Sequence, residues 1–195
     1  MARPSGVTKA KKAIRKHDFE KLLDFVGKNK MMNHPTRYKL RTAYTLLYCT
    51  GCRISEIVNF TRDDLEQMIK YKEFSLNNRN KTKRPRLIEF SDNQIVLLEK
   101  VFTKETGFLF KKNNSFEAMS ITGLTTLCNE YIQVALGELY SSHGFRRNMI
   151  TQILRKTGRI KLAQVHIGHK SAATTTKYDT PEDGEIRNTL NSITW

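Results

Sequence analysis

His143-Gly144-Phe145-Arg146-Arg147-Asn148-Met149-Ile150-Thr151-Gln152-Ile153-Leu154 is the stretch on which the fold of this chain turns. Phe145, Met149, Ile150, Ile153 and Leu154 recur at helical spacing as one apolar stripe, which predicts a helix over about 143–157 packed on a core. His143 and Arg146 lie three apart and share a face beside that stripe, so they project from the rim of a packed helix. Alone, a His-x-x-Arg pair is an ordinary capped or solvated helix face. It gains meaning from Gly168-His169 and Tyr178 downstream, and from Arg53 in the turn Thr50-Gly51-Cys52-Arg53 far upstream.

Outward from this helix the pattern stays mostly helical. Phe19, Leu22, Leu23, Phe25 and Val26 predict an amphipathic helix from Asp18, and a second runs from near Pro35, a residue suited to a first turn, to about Cys49. Gly51 then reverses the chain. Ile54, Ile57 and Val58 give the inner face of a short third helix, which places Arg53 at its N-terminus. Residues 72–79 and 86–91 predict a β-hairpin, the second run alternating through Leu87, Ile88 and Phe90, with a long basic tip from Asn77 to Pro85. Further helices are expected at about 92–105, 120–137, 143–157 and 160–168, then a short segment carrying Tyr178 and a last helix from Glu182 to Ile193. The expected fold class is mainly α with a small antiparallel β-hairpin.

A chain of 195 residues supports one principal domain. Its formal net charge of +15 is self-repelling unless a polyanion meets it, which makes nucleic acid the leading partner and an anionic membrane surface a poorer one. No apolar run approaches the roughly 18 to 20 residues needed to span a bilayer, and no signal-peptide core follows the basic N-terminus. The protein is expected to stay where it is made, in the cytoplasm and on the nucleoid if the source is prokaryotic or a phage. Residues 1–15 read as a flexible basic arm: the first sixteen positions hold Arg3, Lys9, Lys11, Lys12, Arg15 and Lys16 and no acid. Such an arm is either solvated or laid along a DNA backbone.

Cys49, Cys52 and Cys128 cannot all pair with one another and fit a reducing compartment. Cys49-x-x-Cys52 matches half of a redox or zinc motif, but no second pair follows, and buried thiols at a helix end are the plainer reading. His166 and His169 also lack a third ligand at a convincing spacing. No metal and no cofactor is expected.

Cleaving a phosphodiester without a metal requires a nucleophile, cations for the charge that grows on the non-bridging oxygens, a base for the nucleophile and an acid for the leaving 5′ oxygen. Arginine suits the second task, because its planar fork gives phosphate two parallel hydrogen bonds and stays charged. Arg53 and Arg146 fit that role, with helix N-terminal amides adding positive potential.

The order Arg, Lys, His-x-x-Arg, His, Tyr resembles the catalytic domain of tyrosine site-specific recombinases, the phage integrase and Xer family, over about residues 16–195 including the tail 182–195. By that resemblance Thr50-Gly51-Cys52-Arg53-Ile54-Ser55-Glu56-Ile57 carries the first catalytic arginine, Arg53, and a supporting acid, Glu56. Counting back from Arg86-Leu87-Ile88-Glu89-Phe90, which looks like the family's basic-apolar-apolar-Pro-Leu strand, the catalytic lysine is Lys81, with Lys83 the alternative. His143-Gly144-Phe145-Arg146-Arg147-Asn148 resembles the His-x-Leu-Arg-His-Thr box and Val165-His166-Ile167-Gly168-His169-Lys170-Ser171 the Leu-Leu-Gly-His-Ser box; the segment ending in Tyr178 looks like the one that carries the nucleophile. Asn148, His166 and Glu89 depart from the family pattern without removing a catalytic group.

The resemblance implies that Tyr178 attacks a scissile phosphate to give a 3′-phosphotyrosyl link and a free 5′ hydroxyl. Arg53, Arg146 and His169 would hold the phosphate oxygens, His143 would accept the tyrosine proton and Lys81 would protonate the leaving oxygen. Double-stranded DNA is the implied partner, contacted by Lys9, Lys11, Lys12, Arg15, Arg79, Lys83, Arg84, Arg86 and Arg147, with a homotetramer on two sites. Most members carry a helical core-binding domain ahead of this region, so the chain is expected to be a minimal member, like the small fimbrial-switch invertases, or a fragment; the initial Met-Ala favours a whole chain. A type IB topoisomerase and a catalytically inert DNA-binding regulator are the alternative functions. In the tail, Leu190, Ile193 and Trp195 either dock on a neighbouring protomer or fold back on their own core.

Overall fold

Helix α1, Lys16–Lys28, begins where the Asp18 carboxylate turns back to accept the Arg15 amide at 3.0 Å. It buries Phe19, Leu22 and Val26, the i, i+3, i+7 positions of one face. Helix α2, His34–Thr50, starts at Asn33, whose side-chain oxygen accepts the Thr36 amide at 2.9 Å, with Pro35 in the first turn. Leu40, Ala43, Tyr44, Leu46, Leu47 and Cys49 are fully buried, so α2 is enclosed nearly all round and forms the axis of the core. These features belong to a computed structural model that describes residues 12–76, 85–168, 172–176 and 191.

The described residues fall into two units, Met1–Met149 and Ile150–Trp195. In the first, α1, the short helix α3 (Ile54–Ile57), α5 (Asp92–Glu99) and α6 (Ile121–Leu136) all pack on α2. The Tyr44 hydroxyl donates to the Cys128 carbonyl at 3.0 Å and its ring stacks on Phe145, while Phe19 stacks on Tyr48 at 4.1 Å. Between α3 and the sheet lies α4 (Arg62–Tyr71), a helix the hydrophobic pattern does not predict. Its start is a reciprocal cap: the Thr61 hydroxyl accepts the Asp64 amide at 3.2 Å and the Asp64 carboxylate accepts the Thr61 amide at 2.8 Å.

Strands β1 (Glu73–Ser75) and β2 (Leu87–Glu89) pair antiparallel, Phe74 opposite Ile88, both turned into the core. The expected hairpin is present with shorter strands, and its tip, 77–84, lies outside the described residues. Helix α5 stops at Glu99 rather than near 105, because Val101 and Phe102 tighten into turns on Leu98 and Glu99. The chain beyond it instead pairs short bridges, Phe108 on Thr61 and Ala118 on Lys111, and buries Leu109 and Phe110.

Helix α7 spans His143–Thr157, as its apolar stripe predicts. In the second unit α8 (Ile160–Ile167) ends at Gly168 in a left-handed turn (φ 72°) and packs against α9 (Ala172–Thr176). The helix expected over Glu182–Ile193 falls, apart from Asn191, outside the described residues. No described helix is long and apolar enough to cross a membrane.

The arm expected over 1–15 is anchored at its end. The Lys12 amide donates to the Leu139 carbonyl at 2.8 Å, the Ile14 amide donates to the Gly144 carbonyl at 3.0 Å, and Ile14 is completely buried. Gly144 is the residue that admits this strap, since a Cβ there would stand 2.8 Å from the Lys12 carbonyl oxygen and 2.8 Å from Ile14 Cγ1. The start of α7 is therefore held in place by residues that composition assigns to a loose tail.

Ile14→Ala should lower unfolding free energy by about 2–4 kcal/mol, as for other emptied aliphatic core sites. Gly144→Ala should cost about 1–3 kcal/mol through overpacking. Urea unfolding of the two variants measures both. A loss under about 0.5 kcal/mol for Ile14→Ala would mean that residues 12–15 do not belong to the core.

Candidate active site

The site starts at a glycine. Gly51 closes α2 in the left-handed region (φ 61°), its amide donating to the Leu47 carbonyl at 3.0 Å, a conformation that costs residues with a Cβ about 1 kcal/mol or more. The turn leaves Arg53 extended as the N-cap of α3 (φ −86°, ψ 157°). Arginine cannot accept the free amides of a helix start. Glu56, three residues on, bends back so that its Oε2 accepts the Arg53 amide at 2.7 Å.

That carboxylate is almost completely enclosed, at 2 % exposure, and is the common partner of three guanidinium groups. Arg53 Nη1 lies 3.4 Å from Oε1, Arg86 Nη2 lies 3.5 Å from Oε2, and Arg146 Nη1, reaching in from α7, lies 3.9 Å from Oε2. Arg146 Nη1 also donates to the Gly51 carbonyl at 3.0 Å, so α7 is tied to the turn that presents Arg53. Arg86 Nη2 further donates to Cys52 Sγ at 3.0 Å.

Among the described residues, three guanidinium groups face this one carboxylate. Arg53 is the member that reaches solvent, with 35 % of its side chain exposed against 3 % for Arg146 and 5 % for Arg86. Burial first, then the charge of Arg53, pulls the Arg146 pKa down to about 10, which still leaves it protonated at neutral pH. His143, at the first position of α7, keeps a solvent-facing edge. Partial desolvation, then the charges of Arg146 and Arg53, holds its imidazole below the usual 6.5, so at neutral pH it is an uncharged proton acceptor beside two cations. The Cys52 thiol is pushed up to about 11 by burial, and burial carries Cys49 and Cys128 to about 12, so all three are protonated thiols.

Of the residues singled out by sequence, Arg53, Glu56, His143 and Arg146 meet here. Lys81, Lys83, His169 and Tyr178 lie outside the described residues, as do Lys9, Lys11, Arg79 and Arg84. Lys12 and Arg15 are exposed, Arg147 is half-buried on α7, and His166 is half-buried on α8. Arg86 departs from its expected place among surface DNA contacts: it is buried, and its guanidinium serves Glu56 and Cys52. The alternation of β2 contained the signal. Arg86, Ile88 and Phe90 are two apart and share the inward face.

A profile of the phage integrase family matches residues 12–185. A tyrosine recombinase of Thermosipho africanus is 26% identical over 147 residues, a match that takes in 75% of this chain and 51% of that protein. The chain thus spans about half the length of the curated relatives it matches. Among solved structures, the XerH site-specific recombinase in a post-cleavage complex with palindromic difH substrate superposes with TM-score 0.73 at 18% identity, over 98% of this chain and 55% of XerH. The catalytic domain of bacteriophage HP1 integrase superposes with TM-score 0.56 at 16% identity, over 93% of this chain and 94% of that domain. At these identities the superpositions show a shared fold, that of recombinase catalytic domains.

Glu56→Ala would remove the buried carboxylate that three guanidinium groups face and should destabilise the fold by about 3–5 kcal/mol. Glu56→Gln, which keeps an oxygen for the Arg53 amide, should lose less. Denaturant unfolding measures the difference. A Glu56→Ala loss under about 1 kcal/mol would show that the cluster does not rest on this carboxylate.

Proposed function

Because this chain belongs to the phage integrase family, we propose that it cuts and rejoins DNA at a defined site through a covalent phosphotyrosyl intermediate. The observation that carries the proposal is the Arg53–Arg146 pair held on a buried Glu56, with His143 on the same helix as Arg146. A scissile phosphodiester brings one negative charge to that pair. As the fifth oxygen bond forms, charge grows on the non-bridging oxygens, and two forked donors already in place stabilise it without reorganising.

In this mechanism Tyr178 Oη attacks the phosphorus and its proton passes to His143. The bond to the 5′ oxygen breaks, and that oxygen takes a proton from Lys81, with Lys83 the other candidate. The products are a 3′-phosphotyrosyl link and a 5′ hydroxyl, and His169 assists the arginines. Rejoining reverses the steps: a 5′ hydroxyl displaces Tyr178 and returns a proton to the lysine. The covalent link conserves the phosphodiester, so strand exchange needs no nucleotide hydrolysis, and the arginines supply the charge neutralisation for which other nucleases use metal ions. Double-stranded DNA is the substrate, met by the net charge of +15 and by Lys12, Arg15 and Arg147, and exchange between two duplexes is carried out by a homotetramer.

The experiment is covalent trapping. DNA crosslinked to the wild-type protein in its host should map to discrete sites, and a nicked duplex carrying such a site should yield an adduct at Tyr178. Tyr178→Phe should abolish the adduct and leave DNA affinity within about threefold, since one hydroxyl contributes little binding. An adduct formed by Tyr178→Phe would remove the assignment.

The depressed pKa of His143 adds a pH signature. A base with its pKa below 6.5 remains able to accept a proton as pH falls through the range where free histidine titrates, and loses that ability only lower down. Single-turnover cleavage should therefore hold steady from pH 8 to about 6.5 and decline below it. A decline already centred above the free-histidine value would contradict His143 as the base.

A further inference from the structure

The N-terminal end of α2, opposite Gly51, lines a cavity of about 710 Å³, a volume ordinary for a small-molecule site. About 25 Å of helix separates it from the Arg53 cluster. Pro35, Tyr38, Phe108 and Leu109 supply apolar lining. Further lining comes from a tight antiparallel turn, in which Lys111 bridges to Ala118, the Lys112 amide donates to the Glu117 carbonyl at 2.9 Å, and Asn114 is left-handed (φ 54°). This turn presents Phe116 to solvent at 90 % exposure, with Lys111 Nζ 6.0 Å from the centre of its ring.

Lys39 lines the same cavity, yet only 8 % of it is exposed. An ammonium has three N–H donors, and this one meets a single neutral acceptor, Asn113 Oδ1 at 3.0 Å. Among the described residues no carboxylate pairs with Lys39: Glu105 lies 4.0 Å from Lys111 Nζ, and Glu117 lies 2.5 Å from Lys112 Nζ. Burial accordingly lowers the Lys39 pKa from the ordinary lysine value. A methionine would fill the position without burying a charge, so packing does not call for an ammonium here. The first turn of α2 holds no acid, and the positive end of the helix dipole adds to the potential of the cavity.

We propose that this cavity binds a nucleotide-like anion, an aromatic ring joined to a phosphate monoester. The phosphate completes the hydrogen bonding of Lys39, a compact point charge of the kind that suits phosphate, and Phe116 offers a face on which the ring stacks. A duplex backbone is the poorer fit, because its phosphates lie on a convex rod whereas Lys39 is enclosed. The site does not depend on the phosphotyrosyl chemistry.

The test titrates the full chain with adenosine monophosphate, adenosine and inorganic phosphate, read by calorimetry and thermal melting. The monophosphate should bind with a Kd of about 1 mM or tighter, and at about ten times its Kd should raise the Tm by about 3–6 °C. Adenosine and inorganic phosphate should each bind at least about tenfold more weakly. Lys39→Met should weaken the monophosphate by about 10- to 100-fold while the Tm of the free protein holds or rises, since a buried charge is removed. Phe116→Ser, at an exposed position, should weaken the monophosphate by about tenfold and leave inorganic phosphate unchanged. A 5′-phosphorylated pentanucleotide separates the two sources of such a ligand. Tighter binding than the monophosphate, lost in Lys39→Met, identifies a DNA strand end, and weaker binding identifies a free nucleotide. No binding of the monophosphate, or binding that survives Lys39→Met, would overturn the proposal. A closed-ended duplex that displaces the monophosphate would also overturn it, by assigning the cavity to the DNA backbone. If Lys39→Met does not fold, Phe116→Ser decides: a tenfold loss supports the site, and unchanged affinity sinks it.

Discussion

A single enclosed carboxylate sets the geometry of this site. Glu56 caps α3, holds Arg53 through both backbone and side chain, and faces Arg86 and Arg146 from two other elements. Among the described residues, three guanidinium groups face this one carboxylate. In the proposed function, a phosphodiester would bring negative charge to this cluster, and more would accumulate in the transition state. Electrostatic catalysis requires that order: the fixed groups match the transition state better than the substrate.

The rest of the first unit supplies the rigidity such a cluster needs. Gly51 turns the chain at the end of the buried α2, and its carbonyl accepts Arg146 from α7. The start of α7 is fixed by Ile14 and the Lys12 backbone seated against Gly144, one residue from His143. Arg53, Arg146 and the strap from residues 12–15 therefore belong to one packed unit, with His143 at its surface.

Much of this is legible in the sequence, for reasons that also explain what is not. Helices α1, α2, α6 and α7 bury regular apolar faces, and Gly51 ahead of Ile54 and Ile57 marks a turn into a short helix, so local pattern suffices to put Arg53 and Glu56 at a helix start. Helix α4 announces itself by its cap: Thr61 and Asp64 are three apart, but only Leu65 and Met68 are buried on its apolar side, too few to set a period. Arg86 reads as surface by charge and as core by alternation with Ile88 and Phe90, and only the arrival of Glu56 beneath it settles the conflict in favour of burial. Ile14 stands among cations, and its burial depends on a pocket made by residues about 130 positions later, which local pattern cannot express. Lys81, His169 and Tyr178 stand on motif spacing alone.

The most direct measurement replaces one non-bridging oxygen of the scissile phosphate with a methyl group and times single-turnover cleavage by Arg53→Ala. A methylphosphonate is neutral and has less charge for an arginine to stabilise. If the Glu56-held arginines serve the phosphate, Arg53→Ala should lose on the order of 10³-fold on the phosphodiester and recover most of that deficit, relative to wild type, on the methylphosphonate. The same fold-loss on both substrates would show that Arg53 does not act on phosphate charge, and the cluster around Glu56 would then be part of the scaffold only.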